Sequence, residues 1–232
     1  MELNIDPKFS VYKLVGRISE SASMTHRRTM NVISNEIENT TLVDGAHTRI
    51  FAAFQLYSRF LPQMARFREF APRAESVYVF GIPDVQLPAI ENITYIPLNP
   101  TDQLAKEWFL VSYGEEYASA LATEEQTDIT RTPDPDRVFK GIWTFDPTLV
   151  SILADWLSRS INIDPQIIPG ERIDQARHTT LINRVAGRMI TRLTRDGGLT
   201  MNGMVRQELR GIVKNVIHPY LSGALADKLA SV

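Results

Sequence analysis

The stretch Ser76-Val77-Tyr78-Val79-Phe80-Gly81 decides the fold class. It is short, apolar and rich in β-branched and aromatic residues, and it lies between Arg73 and Pro83. Such a run reads as a buried strand, with apolar neighbours on both faces. Working toward the C-terminus, residues 93–96 predict a second strand that Pro97 stops. Asn99-Pro100-Thr101-Asp102 reads as a capped start, with Pro100 in the first turn, of a short helix through Lys106. Residues 108–112 and 117–123 flank Tyr113-Gly114-Glu115-Glu116 as a hairpin. Residues 124–136, with Pro133 and Pro135, form a polar surface loop, and residues 138–144 are a fifth strand. Asp146 and Pro147 then open a helix to about residue 160, as N-cap and first helical residue.

Toward the N-terminus, residues 23–38 predict a helix, with Met30, Ile33 and Ile37 at helical spacing and Ser23 or Thr25 as cap. Residues 40–46 form a loop turned by Gly45. Residues 48–71 also read as helical, anchored by Phe51, Phe54, Leu61, Ala65 and Phe70 and divided or kinked at Pro62. Residues 1–22 form an N-terminal segment. Residues 161–170, holding Pro165, Pro169 and Gly170, read as a linker.

Beyond the linker the strand signal vanishes. Residues 171–195 form an amphipathic helix with Leu181, Ile182, Val185, Ala186, Met189, Ile190 and Leu193 on one face. Gly197-Gly198 breaks it, and residues 200–229 continue as a second helix, bent by Pro219 near His218. The expected fold is therefore α+β: a mixed sheet of four to five strands packed with helices over 23–160, then a C-terminal all-α helical pair over 171–232.

The charge divides in the same place. Residues 171–232 carry ten Lys and Arg against five Asp and Glu, a net of +5. The first 170 residues carry 15 against 22, a net of −7. The 232-residue chain is 44% apolar, enough for a sizeable core. It has no cysteine, which excludes disulfides, thiolate metal sites, cysteine nucleophiles and thioether-linked chromophores. No stretch approaches the roughly 18 apolar residues of a membrane span, and the start lacks the order of a signal peptide, so a cytoplasmic location is expected.

His26, His47, His178 and His218 are too scattered for a metal site, and no cofactor is expected. Phosphate-loop, dinucleotide and nucleophile-elbow motifs are absent. Glu115-Glu116 and Glu124-Glu125 read as solvated charge. Arg59, Gln63 and Arg66 share a helical face and could hold an anion, or could pair with acids such as Glu69 or Glu107. Tyr78, Trp108 and Trp143 could line a pocket for a flat ligand, or could be core. Arg177, Arg184, Arg188 and Arg195 fall within about 40° on a helical wheel. This stripe either balances the acidic first domain or contacts an acidic protein, an anionic membrane surface or nucleic acid. No aromatic residue lies between Trp156 and Tyr220, which argues against nucleic acid.

Five short words occur in a familiar order: Ala53-Phe54-Gln55 with Arg59-Phe60-Leu61-Pro62-Gln63; Val77-Tyr78-Val79-Phe80-Gly81; Tyr95-Ile96-Pro97-Leu98; Glu107-Trp108-Phe109-Leu110-Val111; and Gly141-Ile142-Trp143-Thr144-Phe145-Asp146-Pro147. Over about 140 of the 232 residues, 23–160, the chain resembles the DICT sensory domain of diguanylate cyclases and two-component systems. The resemblance implies about four strands and four helices, an input role beside signalling outputs, and no catalytic residues. Only two helices follow residue 170, so the expected protein is a non-enzymatic sensory adaptor. It would act through a signalling partner or through homo-oligomerisation of its tail. The alternative from the residues is a peripheral anchor or scaffold on an anionic surface.

Overall fold

The centre of the sheet is residues 49–56, the stretch read above as helix. In the computed structural model, which describes residues 5–18, 25–128, 137–165, 167–195, 203–221 and 226, these residues form β1 (Arg49–Leu56). β1 pairs in parallel with β2 (Ser76–Ile82) and antiparallel with β4 (Glu107–Tyr113). The correction has a physical cause. A central strand covered on both faces shows no polar/apolar alternation. Phe51 and Phe54 then happen to sit three apart, around two alanines, which imitates a helix. Ile50 and Ala52 in fact face one core, and Phe51 and Ala53 the other.

The remaining strands are β3 (Ile93–Pro97), β5 (Ala118–Glu125) and β6 (Phe139–Thr144). The order across the sheet is β3-β2-β1-β4-β5-β6, parallel among the first three and antiparallel among the rest. The mixed α+β fold thus has six strands, one more than the largest number expected. The sixth is β1. After it the chain makes a short helix, α3 (Tyr57–Phe60), a 3-10 turn holding Pro62, and α4 (Met64–Phe70).

One face of the sheet is covered by α1 (Val11–Ile18) and α5 (Pro147–Ser160), through Val11, Val15, Val150, Leu153 and Leu157. Asp146 caps α5, its Oδ1 accepting from the amides of Thr148 (2.9 Å) and Leu149 (3.2 Å). α1 lies in the segment assigned no element from sequence. Ser10 caps it and donates to Glu107, whose carboxylate also accepts from the Tyr12 amide at 3.1 Å.

The opposite face carries α2 (Arg27–Leu42), α4 and the tail helices α6 (Gln175–Arg195) and α7 (Gly203–Ile212). A π-helical turn (Val213–Ile217) and a 3-10 turn at Pro219 follow α7. Leu181, Val185, Met189, Val205, Leu209, Ile212 and Val216 are buried in one cluster with Met30, Ile33 and Ile37 of α2 and with Leu121 and Trp143 of the sheet. The apolar tail face is therefore covered by the chain's own α2 and sheet. Within the expected linker Arg49 donates to the carbonyls of Asp164 (3.1 Å) and Pro165 (2.7 Å), and Tyr113 to that of Ile168 (2.6 Å).

Ser23, the expected helix cap, and Gly197, Gly198 and Met201 lie outside the described residues, as do the side chains of Leu193 and Arg195. Thr25 does not cap α2 by its side chain. Glu208 of α7 instead holds the approach to the helix, accepting from the Thr25 and His26 amides. Among the described residues no helix is long and apolar enough to cross a membrane.

Candidate functional site

α2 packs over β4 and β5, and beside it lies a cavity of ≈ 50 Å³. That is room for about three to five waters or one small ligand. α2 contributes Asn31, Ser34, Asn35 and Glu38 to its wall; β1 contributes Ala52, Phe54 and Gln55; β4 contributes Trp108 and Leu110. Arg27, Arg59, Gln63, Phe109 and Arg137 complete it.

The floor is built around Gln55. Its backbone φ is +64°, beside an irregularity in the β1–β2 register between Ala53 and Leu56. A left-handed residue within a strand re-aims its side chain and is rare outside glycine. Here it sends the carboxamide into a buried network. Gln55 Nε2 donates to Glu125 at 2.7 Å and to the Lys106 carbonyl at 3.3 Å. Its Oε1 accepts from Arg59 Nη1 at 2.7 Å and from Arg137. Glu125 also accepts from Arg137 Nε at 2.8 Å and Nη2 at 2.7 Å, and from the Thr127 hydroxyl at 2.8 Å. Burial raises the Glu125 pKa, but the Arg137 and Thr127 hydrogen bonds and the two arginine charges outweigh it, and the carboxyl lies below its ordinary value.

Glu38 stands on the α2 wall. Burial pushes its carboxyl up to about 7, against the pull of Arg66, which grips it from outside the cavity. Arg66 also donates to the Asn35 carbonyl and to Asn39 Oδ1, both at 3.0 Å. Ser34, on the same wall, is buried and its hydroxyl has no hydrogen-bond partner.

The residues singled out from sequence are thus distributed as follows. Arg59 and Gln63 line the cavity, while Arg66 stands behind it. The acids that meet Arg59 and Arg66 are Glu125 and Glu38, not Glu69 or Glu107. Trp108 lines the cavity, but Tyr78 and Trp143 do not join it. Tyr78 lies on the other sheet face, stacked on Phe51 with centroids 5.2 Å apart. Trp143 is buried beneath the tail, its indole N–H donating to Ser119 Oγ at 2.9 Å. No flat-ligand pocket is shared by the three. Glu125, read from sequence with Glu124 as solvated charge, is instead buried, because β5 carries it under Arg137 and Gln55; Ser34, Glu38, Gln55 and Arg137 were not singled out, since each is made relevant only by strand and helix packing.

The arginine stripe faces the first domain's acids. Arg188 Nε reaches Glu36 at 2.6 Å and Nη1 reaches Asp44 at 2.7 Å. Arg184 reaches Asp44 at 3.5 Å, and Arg177 reaches Glu116 at 3.2 Å. Arg192, not in the predicted stripe, reaches Glu36 at 3.0 Å. His178 is buried and lowered in pKa by that burial, its Nε2 3.0 Å from the Phe145 carbonyl. Among the described residues no group of three His, Cys, Asp or Glu could hold a metal ion.

Sheet, covering helix and cavity define a three-layered α+β module with a small chamber of mixed lining on one face. Residues 8–126 match the family described as the sensory domain in diguanylate cyclases and two-component systems, DICT. The chain belongs to that family. The match starts at residue 8 and ends at 126, where the resemblance read from sequence ran from 23 to 160. It therefore takes in α1 and leaves β6 and α5 outside. Among curated proteins none matches the chain. A crystal structure of polyphosphate kinase from Porphyromonas gingivalis is similar at 15% identity and a TM-score of 0.39, over 77% of this chain and 31% of that one. A likeness at that level supports no conclusion about activity.

Proposed function

We propose that this chain is a non-enzymatic sensory adaptor. Its α/β domain takes up a signal at the cavity beside α2, and its tail hands the signal on by protein contact or self-association. The observation that carries this reading is the shared position of α2. Asn31, Ser34 and Glu38 on α2 line the cavity. Glu36 on the same helix receives Arg188 and Arg192 from α6, and Glu208 of α7 accepts from the amides of Thr25 and His26, the two residues that lead into α2. A ligand that favours one setting of α2 shifts the equilibrium of tail docking by as much as its affinity differs between the settings. Undocking would expose the apolar face of α6 and α7 to a partner or to a second copy.

The test weakens docking without touching the cavity. Glu36→Gln with Asp44→Asn should change the mass seen by light scattering, or the proteins captured from extract, relative to the full native chain. Identical mass and identical capture would sink transmission through the tail.

A further inference from the structure

Glu107 opens β4 with its carboxyl fully buried, on the sheet face that α1 and α5 cover. Its partners are the Ser10 hydroxyl and the Tyr12 amide, both at the start of α1. Glu124 of β5 is its direct partner across the antiparallel ladder, so two carboxyls share one face at one register position. Like charges placed opposite each other in a ladder are destabilising. Lys140 of β6 is registered against Glu124, not against Glu107. Gln103, in the 3-10 turn before β4, donates to Glu124 at 2.7 Å. The Tyr12 phenol is raised in pKa by its burial and by Glu124. From α5, Asp155 and Arg159 are engaged with each other at 2.9 Å. Lys13 and Lys106 are near in sequence, yet among the described residues no cation forms an ion pair with Glu107. Its charged form is opposed by burial and by Glu124, and favoured only by hydrogen bonds. Burial is the largest influence, and the carboxyl is pushed up to about 7.

The element fastened here is a short helix. α1 has eight residues, too few to persist in water without support. Its order rests on Val11 and Val15 in the core, on the bonds to Glu107, and on the Pro7 carbonyl, which accepts from the Gln103 amide at 2.8 Å. Phe9, beside Ser10, stacks on Trp156 of α5.

We infer that α1 is a proton-operated clasp: with Glu107 protonated the helix lies docked on the sheet, and with Glu107 ionised beside Glu124 the helix lifts and water reaches the carboxylate. The docked chain holds the proton more tightly than the released one. Docking is therefore complete below the ordinary carboxyl value of 4.5 and is lost as pH rises to about 7. The clasp lies on the face opposite the tail and the cavity, so it goes beyond the adaptor reading and does not rest on it.

Hydrogen exchange of the full chain, read by mass spectrometry from about pH 5 to about pH 8 and expressed as protection relative to free-peptide rates, tests this. Protection in α1 should fall by up to about tenfold per pH unit within the window, the proportion for one proton. It should stay below that of β4 and β5 at every pH, because α1 opens without the sheet. Trp156 emission should change over the same range as Phe9 leaves it. Glu107→Gln should hold α1 protection constant with pH. Glu124→Gln, which removes the opposing charge and leaves Glu107 in place, should reduce the total loss, and it decides the matter if the Glu107 variant does not fold. The clasp is overturned if α1 protection in the native chain is independent of pH, or if α1 exchanges only at the rate of β4 and β5. It is equally overturned if the decline survives Glu107→Gln, or if Glu124→Gln loses as much protection as the native chain. None of these outcomes bears on the tail, whose test reads mass and capture.

Discussion

Arg188 donates to Glu36 across 2.6 Å although the two residues are 152 positions apart in sequence. This contact turns the charge asymmetry of the chain into a docking relationship. The basic surplus of residues 171–232 meets carboxylates of the acidic first 170, in particular Glu36, Asp44 and Glu116. Opposite charges at that spacing set orientation as well as energy, because Arg188 bridges two carboxylates that flank the C-terminal half of α2.

Glu36→Gln should therefore destabilise the chain by about 3 kcal/mol, the low end for a broken buried pair. Glu36 itself is 1% exposed, while Arg188 and Arg192 retain some contact with water. Urea unfolding gives the free energy, and hydrogen exchange gives its location. Faster exchange should appear in α6 and α7 and leave β4 and β5 protected. A loss spread evenly over the sheet would refute the docking role.

Glu107 makes stability depend on pH with a definite sign. Desolvation pushes its carboxyl up to about 7, with the Ser10 and Tyr12 hydrogen bonds opposing. In the unfolded chain the same group titrates near 4.5. Between those values the folded chain holds the proton more tightly, so stability falls as pH rises through the window. A shift of that size is worth at most about 3 kcal/mol. Glu107→Gln keeps both hydrogen-bonding links without a charge, and should flatten the decline. Glu38, raised in the same direction, supplies what slope remains. Unfolding free energies measured at intervals between pH 4.5 and pH 7 give both slopes; equal slopes in native and variant chains would exclude Glu107 as the source.

His178 acts in the opposite direction. Its burial lowers its pKa, and its ring bridges β5 and the end of β6: Nδ1 accepts from the Ala118 amide at 3.4 Å, and Nε2 lies 3.0 Å from the Phe145 carbonyl. That pairing requires the neutral ring with its proton on Nε2. As pH falls below the unfolded value of 6.5 the unfolded chain takes up a proton that the folded chain resists, and stability is lost. His178→Leu should remove this acid sensitivity. It should also cost about 1–3 kcal/mol at neutral pH, for the amide and carbonyl left without the ring. An acid limb that survives the substitution would assign the sensitivity elsewhere.

Much of this architecture was legible in the sequence because its elements are locally self-consistent. The 76–81 run, the 108–123 hairpin and the Asp146-Pro147 start all specify themselves through composition and turn chemistry. β1 did not, because its strand character comes from β2 and β4 on either side of it. α1 was invisible for a related reason: its apolar residues, Val11 and Val15, acquire meaning only against Leu153 and Ala120 in the same cluster. Of the cavity, Arg59, Gln63 and Trp108 could be picked out by residue type. Ser34 and Gln55 could not, since an unpartnered hydroxyl and a left-handed glutamine are properties of packing.

Gln55 gives the sharpest test of that packing, because its backbone and its side chain make separable contributions. The φ of +64° costs a non-glycine residue about 1–2 kcal/mol. The side chain offsets this by bonding Glu125, Arg59 and Arg137 at once. Gln55→Ala removes the hub and keeps the strain, so it should lose about 2–4 kcal/mol through the polar groups left unmatched in the network. Gln55→Gly removes the same hub but relaxes the backbone, since glycine adopts positive φ without a Cβ clash. The glycine variant should therefore be more stable than the alanine variant by about 1 kcal/mol, the reverse of the order seen at ordinary strand positions. Denaturant unfolding of the two variants side by side decides it. If alanine proves the more stable, the left-handed turn in β1 is not holding the Gln55 carboxamide at the cavity floor.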